Sequence, residues 1–382
     1  MRSNESDGGR GARPCLLAAA ALAALTTAAS LAAQTPSPGA KAVGMGGAFV
    51  AAGNDASALW GNPAGLAECP LGCAVIFGGA VATDENGFAR TLRDDFRGVD
   101  VDTLTDPAAI ARLERDLQRF EERGTGTIGS GNAGVGYAIR GLAIGIGETV
   151  YAGAYPQVVP IEPGSVIPSL ASRATLKGIE ARELRLGYAG SFLGFTVGGD
   201  VRYVQARTYL ASESLAEAAD NPASLLRDAL KKSETRSNAF ALDAGAIYRA
   251  ALGKLRVGIV GENLNEPELD FADGSRAPLP RTIRAGAAFA PVSFDGIVFA
   301  ADADLNKQKT LVPGLSSRRI SAGAQIFFLR LGAFRDLEAV DPHWAYTAGL
   351  QLPLKAISIG ISGVYSSDKR DVGAAAEVRV RL

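Results

Sequence analysis

The stretch FTVGGDVRY (195–203) puts Phe195, Val197, Val201 and Tyr203 on one parity and Thr196, Asp200 and Arg202 on the other. Successive side chains of a β-strand point to opposite faces, so these residues read as a strand with one apolar and one polar side. The alternation recurs at Leu184/Leu186/Tyr188, Phe240/Leu242/Ala244/Ala246/Tyr248, Leu255/Val257/Ile259, Ile283/Ala285/Ala287/Phe289, Ile297/Phe299/Ala301/Ala303 and Ile357/Ile359/Ile361. In the last segment Val372, Ala374, Ala376, Val378, Val380 and Leu382 oppose Glu377, Arg379 and Arg381. The polar faces also carry Arg185, Arg249, Glu262 and Arg330.

Charged side chains cannot face hydrocarbon. The pattern therefore predicts a membrane-spanning barrel, apolar outside, with Asp200, Arg202, Asp243, Arg284, Asp302, Asp304 and Arg379 facing a hydrated or plugged lumen. Closure matters because an open sheet edge in lipid leaves backbone groups unpaired at several kcal/mol each. A secreted soluble β protein with a half-buried sheet would alternate in the same way, but it gives no reason for the joints to alternate between short and long. Here they do. About fourteen strands are expected at 72–83, 132–140, 142–152, 177–191, 193–209, 234–250, 252–262, 281–290, 294–305, 318–327, 328–336, 344–352, 354–365 and 370–382. Tight joints fall at Arg140-Gly141, Leu193-Gly194, Leu252-Gly253, 291–296, Phe327-Phe328 and Pro353, against long ones at 84–131, 153–176, 210–233, 263–280 and 306–317. An even count puts both barrel ends on the short-turn, periplasmic side. Tyr188, Tyr203, Tyr248, Phe289, Trp344 and Tyr365, near expected strand ends, suit interfacial aromatic bands.

Composition narrows the function. With 39 Lys plus Arg against 40 Asp plus Glu, the chain lacks the positive field that nucleic-acid binding needs, so no nucleic-acid partner is expected. One histidine, His343, and three cysteines leave few ligands for a metal centre, and no cofactor or metal is expected. His343 has Asp341 and Pro342 beside it but no serine at a strained turn, so no catalytic residue is named and the protein is read as a non-enzyme.

Arg2, Arg10 and Arg13 precede the uncharged run LLAAAALAALTTAASLAA (16–33), which meets QTPSPG. This is the pattern of a cleaved secretory signal over residues 1–33, with cleavage after Ala32 or Ala33; a membrane anchor is the alternative. Export leaves Cys69 and Cys73, in ECPLGC, where a disulfide can persist; two unpaired cysteines at a turn fit the spacing as well. Residues 34–71 then precede the barrel, expected over 72–382. In residues 34–71, Gly44, Gly46 and Gly47 permit tight packing and Asn62-Pro63 imposes a turn, while Asn54 and Asp55 suit hydrogen bonds to lumen arginines or a plain turn. The glycines lack the Lys-Ser/Thr ending of a phosphate cradle. In the first long loop, Asp106-Pro107 opens a helix with Ile110, Leu113, Leu117 and Phe120 on one stripe; a second helix is expected after Asn221-Pro222.

The segment AVGMGGAFVAAGNDASALWGNPAGLA (42–67) resembles the signature of the FadL-like superfamily of outer-membrane barrels. Within it, VGIVGENL (257–264), LPRTIRAGAAFAP (279–291), ADADLNK (301–307) and LRLGAFRDL (329–337) are similar to TraF-like conjugal-transfer proteins, with PorV-like secretion proteins the other relation. The FadL-like resemblance implies a barrel in the bacterial outer membrane, surrounded by lipid, that passes hydrophobic or amphipathic small molecules, with residues 34–71 as its N-terminal plug or hatch, where Gly44, Gly46, Gly47, Asn54, Asp55, Asn62 and Pro63 suit that part. Gly145 and Gly147 could relax the wall near a lateral opening or simply pack in a crowded sheet. The TraF-like and PorV-like resemblance implies an accessory barrel that binds an envelope protein partner. Either form would be placed by the barrel-insertion machinery, whose usual aromatic end signal is here Leu382.

Overall fold

The computed structural model describes residues 38–69, 71–99, 106–159, 172–221, 235–294 and 296–381. The expected signal segment, the helix expected after Pro222 and Leu382 lie outside the described residues.

The alternating segments close into an antiparallel barrel. Its first seven strands are β1 (Cys73–Glu85), β2 (Gly126–Ile139), β3 (Leu142–Gln157), β4 (Arg173–Phe192), β5 (Phe195–Ser214), β6 (Thr235–Ala250) and β7 (Leu255–Glu262). A short hairpin, β8 (Glu268–Asp270) with β9 (Arg276–Pro278), precedes β10 (Thr282–Phe289) and β11 (Ile297–Asp304). A second short pair, β12 (Gln308–Lys309) with β13 (Ser316–Ser317), precedes β14 (Arg319–Ile326), β15 (Leu329–Asp336), β16 (Trp344–Leu354), β17 (Ile357–Ser366) and β18 (Asp371–Arg381). Around the barrel the order is β1-β18-β17-β16-β15-β14-β11-β10-β7-β6-β5-β4-β3-β2, fourteen strands in all. The closing pair runs from Cys73 opposite Arg381 to Thr83 opposite Asp371.

Short turns join strands on one rim. Arg140-Gly141 (φ 52° and 83°) and Leu193-Gly194 (φ 49° and 82°) have both central residues left-handed, the two-residue turn whose twist matches that of the flanking strands. The joint expected at Pro353 is displaced: Pro353 stays in β16, opposite Ser358, and the turn is Lys355-Ala356. A proline is excluded from ladder positions that must donate, yet is tolerated near a strand end.

The outer face carries the apolar parity. Ile144, Ile146, Leu186, Val197, Leu242, Val257 and Ile361 are exposed, as are Tyr188, Tyr248, Phe289, Trp344 and Tyr365. On β4 the belt runs from Leu184 to Phe192, about 20 Å along the barrel axis at a strand tilt of ~40°, close to the ~25 Å apolar band of such barrels. Above it the same parity continues with Glu148, Arg182 and Gln205; Arg182 bonds Glu180 at 2.9 Å and lies 3.7 Å from Glu148.

Strands β3, β4 and β5 extend past the belt on the long-loop side. There Leu176 and Tyr209 pack under three helices, α1 (Phe88–Asp95), α2 (Pro107–Phe120) and α3 (Leu215–Asp220), through Phe88, Leu113, Leu117, Phe120 and Leu215. Helix α2 starts as its sequence requires: the Asp106 side chain accepts from the Ala108 N–H at 3.1 Å, with Pro107 in the first turn.

Candidate functional site

The polar parity forms the inner wall, and residues 38–69 occupy the space it encloses. This segment holds a short helix, Gly39–Gly44, and two 3-10 turns, Ala56–Trp60 and Pro63–Glu68, and most of its side chains are buried. The Cys69–Cys73 disulfide (Cα–Cα 5.7 Å) ties its end to the start of β1.

Small residues let the segment lie against the wall. A Cβ on Gly44 would come within 2.6 Å of Ser362 Oγ, and one on Gly46 (φ +70°) within 2.6 Å of the Ala333 carbonyl oxygen. Gly47 also has a left-handed backbone, φ +92°. The wall answers with its own glycines. A Cβ on Gly187 would meet Leu59 at 2.7 Å, one on Gly198 would meet Ala64 N at 2.6 Å, and one on Gly245 would collide with the Asn62 amide. Gly145 and Gly147 stand beneath the Trp60 ring, where a Cβ on Gly147 would lie 3.0 Å from Trp60 Nε1. The β2–β3 ladder beside them is paired from Thr127–Ala154 to Ile139–Leu142.

Polar contacts fix the segment further. Asp302 accepts the Phe49 and Val50 N–H groups at 2.6 and 2.8 Å. Arg379 Nη1 donates to Asp55 at 3.0 Å, and Arg381 to the Asn54 carbonyl at 2.9 Å. Lys41, 1% exposed, donates its Nζ to Asn54 at 2.5 Å and its backbone N–H to Glu377 at 2.9 Å. The Asn62 side chain accepts from the Ala64 N–H at 3.1 Å, capping the turn that Pro63 opens, and donates to the Val50 carbonyl at 3.0 Å.

Among the described residues, Glu68 of the segment pairs with Arg249 and Arg256 at 2.7 and 2.9 Å, and three further ionic groups line the lumen. In the first, Arg202 donates to Glu183 and Asp243, both at 3.0 Å, while Arg185 bonds Glu183 at 2.7 Å and the Leu59 carbonyl at 2.9 Å. Asp200, opposite Asp243 in the β5–β6 register, lies 3.6 Å from Arg185. In the second, Arg330, fully buried, bonds Glu377 at 3.0 Å and Gln325 at 3.1 Å. In the third, Arg284 pairs with Asp304 at 2.7 Å. Buried ion pairs are held chiefly by the cost of breaking them, since removing one partner strands the other's charge.

Above the first group, toward the long loops, is a chamber of about 300 Å³. Tyr151, Ile179, Phe271, Leu279 and Leu311 supply an apolar lining, and Lys177, Asn263, Ser275 and Gln308 polar points. Hairpin β8–β9 contributes part of its roof. Lys177 Nζ sits 5.2 Å above the Phe271 ring and 3.4 Å from Ser275 Oγ. Asn263 joins chamber to floor: it contacts Arg202 and donates to the Pro280 carbonyl at 3.0 Å. None of the chamber's apolar residues was singled out as a site residue in the sequence. Tyr151 and Ile179 lie in the strands expected at 142–152 and 177–191 and read there as plain wall, and β8–β9 is too short to show a period.

His343 lies in the β15–β16 loop on the long-loop rim. Its Nε2 contacts the Asp371 carboxylate, and Nδ1 lies 2.9 Å from the Asp341 carbonyl. The Asp371 hydrogen bond, foremost, raises its pKa to about 9, against the lowering effect of burial.

The family model described as "F plasmid transfer operon, TraF, protein" matches residues 100–304. Among solved structures the chain is similar to the CymD monoaromatic hydrocarbon channel (TM-score 0.52, 13% identity, covering 90% of this chain and 97% of that one). It is also similar to the Ralstonia pickettii toluene transporter TbuX (TM-score 0.51, 13% identity, 90% and 98%). A Pseudomonas aeruginosa FadL homologue superposes with a TM-score of 0.48 at 10% identity, over 92% and 99% of the two chains. The first two share the barrel fold of this chain, as the strand alternation and the resemblance led one to expect. No curated protein matches the sequence.

Proposed function

The chain belongs to the family described as F plasmid transfer operon, TraF, protein, and from its FadL-like barrel we propose a passive outer-membrane conduit for small hydrophobic or amphipathic molecules, with residues 38–69 as its plug. The supporting observation is the chamber of about 300 Å³, lined in large part by Tyr151, Ile179, Phe271, Leu279 and Leu311. That volume is at the small end of ligand pockets and suits a compact apolar molecule with one polar group. No chemical step is assigned to the protein. Cargo would enter from outside, rest against Ile179 and Phe271, and pass only when the segment or its ionic contacts shift.

Uptake of toluene and of a long-chain fatty acid into vesicles tests this, with intact protein, with Ile179→Trp to fill the chamber, and with residues 42–67 deleted. The conduit predicts protein-dependent uptake that falls in the Ile179 variant and rises in the deletion. Indifference to all three would remove the proposal.

A second reading, an accessory barrel that contacts an envelope protein, is favoured by the family membership and by the helical cap of α1, α2 and α3. It predicts that a photocrosslinker on the exposed face of α2, at Arg115, captures a protein. Capture of lipid or of nothing counts against it.

A further inference from the structure

The rim of short turns is divided by chemistry. Four adjacent hairpins, β4–β5, β6–β7, β10–β11 and β14–β15, carry Leu193, Leu252, Val292 and Phe327 at their tips, with relative exposures of 79, 104, 67 and 59%. The β2–β3 and β16–β17 tips instead carry Arg140 and Lys355 as the first residue of the turn, while on the β6–β7 hairpin an exposed Lys254 follows the Leu252 tip at the foot of β7. Backbone geometry does not impose this choice. Leu193, Leu252 and Phe327 have φ of 49°, 58° and 52°, while Arg140 and Lys355 have 52° and 54°. Asn or Gly would take that conformation with less strain, and neither stands at any of these positions.

The apolar tips also continue the lipid-facing belt. On β4–β5 the outward residues run from Tyr188 through Phe192 to Phe195 and Val197, with Leu193 at the turn between them. On β14–β15, Ile326 leads into Phe327 and Phe328, all three exposed. On the other side of the rim the belt stops at a cation. Leu71, on the disulfide loop beside β1, is also exposed on that side, as are Leu142, Leu354 and Ile357 next to the two cationic turns.

We propose that the arc from β4 to β15 is a lipid-binding edge. Leu193, Leu252, Val292 and Phe327 enter the headgroup–acyl boundary of the inner leaflet, while Arg140 and Lys355 meet lipid phosphates. The barrel then sits tilted, deeper on the β4–β15 side. Continuity with the belt selects lipid over a protein partner, and the two cations match the anionic headgroup level.

Tryptophan quenching in nanodiscs of phosphatidylethanolamine and phosphatidylglycerol tests the edge, using lipids brominated near the headgroup end of their chains. Full-length protein carrying Leu252→Trp, Val292→Trp or Lys355→Trp is compared, with unsubstituted protein subtracted for Trp60 and Trp344. Brominated lipid should quench the first two at least about twofold more than the Lys355 variant. Val292→Trp reads the same edge if Leu252→Trp fails to fold. Equal quenching at all three sites would overturn the tilt. Absence of lipid quenching at Leu252 and Val292, with quenching by aqueous iodide, would overturn the edge and leave those tips as a protein-docking surface.

Discussion

At Gly187 a missing methyl group makes room for another part of the chain. An added Cβ would stand 2.7 Å from Leu59 and 3.1 Å from Leu66, and overpacking of this kind costs about 1–3 kcal/mol. Gly187→Ala should therefore lower the thermal midpoint in detergent. In protein lacking residues 42–67 the penalty should shrink to a fraction of that, a non-additivity that a double-mutant cycle reads directly. His343 gives a pH signature. Its folded pKa, about 9, lies above the ordinary 6.5, so its stabilising contact with Asp371 is complete below pH 6.5 and fades as pH rises through 9. The midpoint should fall across that window, and His343→Gln should flatten the dependence.

Elements differ in how far their sequences declare them. Helix α2 was legible because Leu113, Leu117 and Phe120 form one stripe behind the Asp106-Pro107 start, and all three are buried. Leu117→Ala should cost about 2–5 kcal/mol within the cap, read as faster proteolysis in loop 86–125 while the barrel keeps its β signal. The strand cores were legible as well, because lipid on one side and water or ions on the other enforce a strict two-residue period. Where that contrast ends, legibility ends. The outer parity of β4 changes from Leu184 to Arg182 and Glu180, then to Leu176 under the helices, so a strand of 20 residues reads as a shorter one. Helices α1 and α3, of 8 and 6 residues, are too short to establish a stripe. Pro353 was misplaced because a turn was assigned by residue type, whereas the strands pair on to Leu354 opposite Ile357.

For the whole molecule, the proposed conduit depends on how the N-terminal segment meets the wall. Those contacts join residues that sequence periodicity cannot associate: Val50 with Asp302, Asp55 with Arg379, Leu59 with Arg185. Inward orientation of the charges follows from parity; their partners follow only from closure of the barrel. Arg202→Met should cost about 3–5 kcal/mol, because Glu183 and Asp243, both buried, each lose a bond at 3.0 Å. The central claim, that a seated segment seals a closed barrel, is tested most directly by planar-bilayer conductance of the intact protein beside protein lacking residues 42–67. The account predicts almost no ion current through the first and steady ohmic current through the second. Equal currents through both would contradict it.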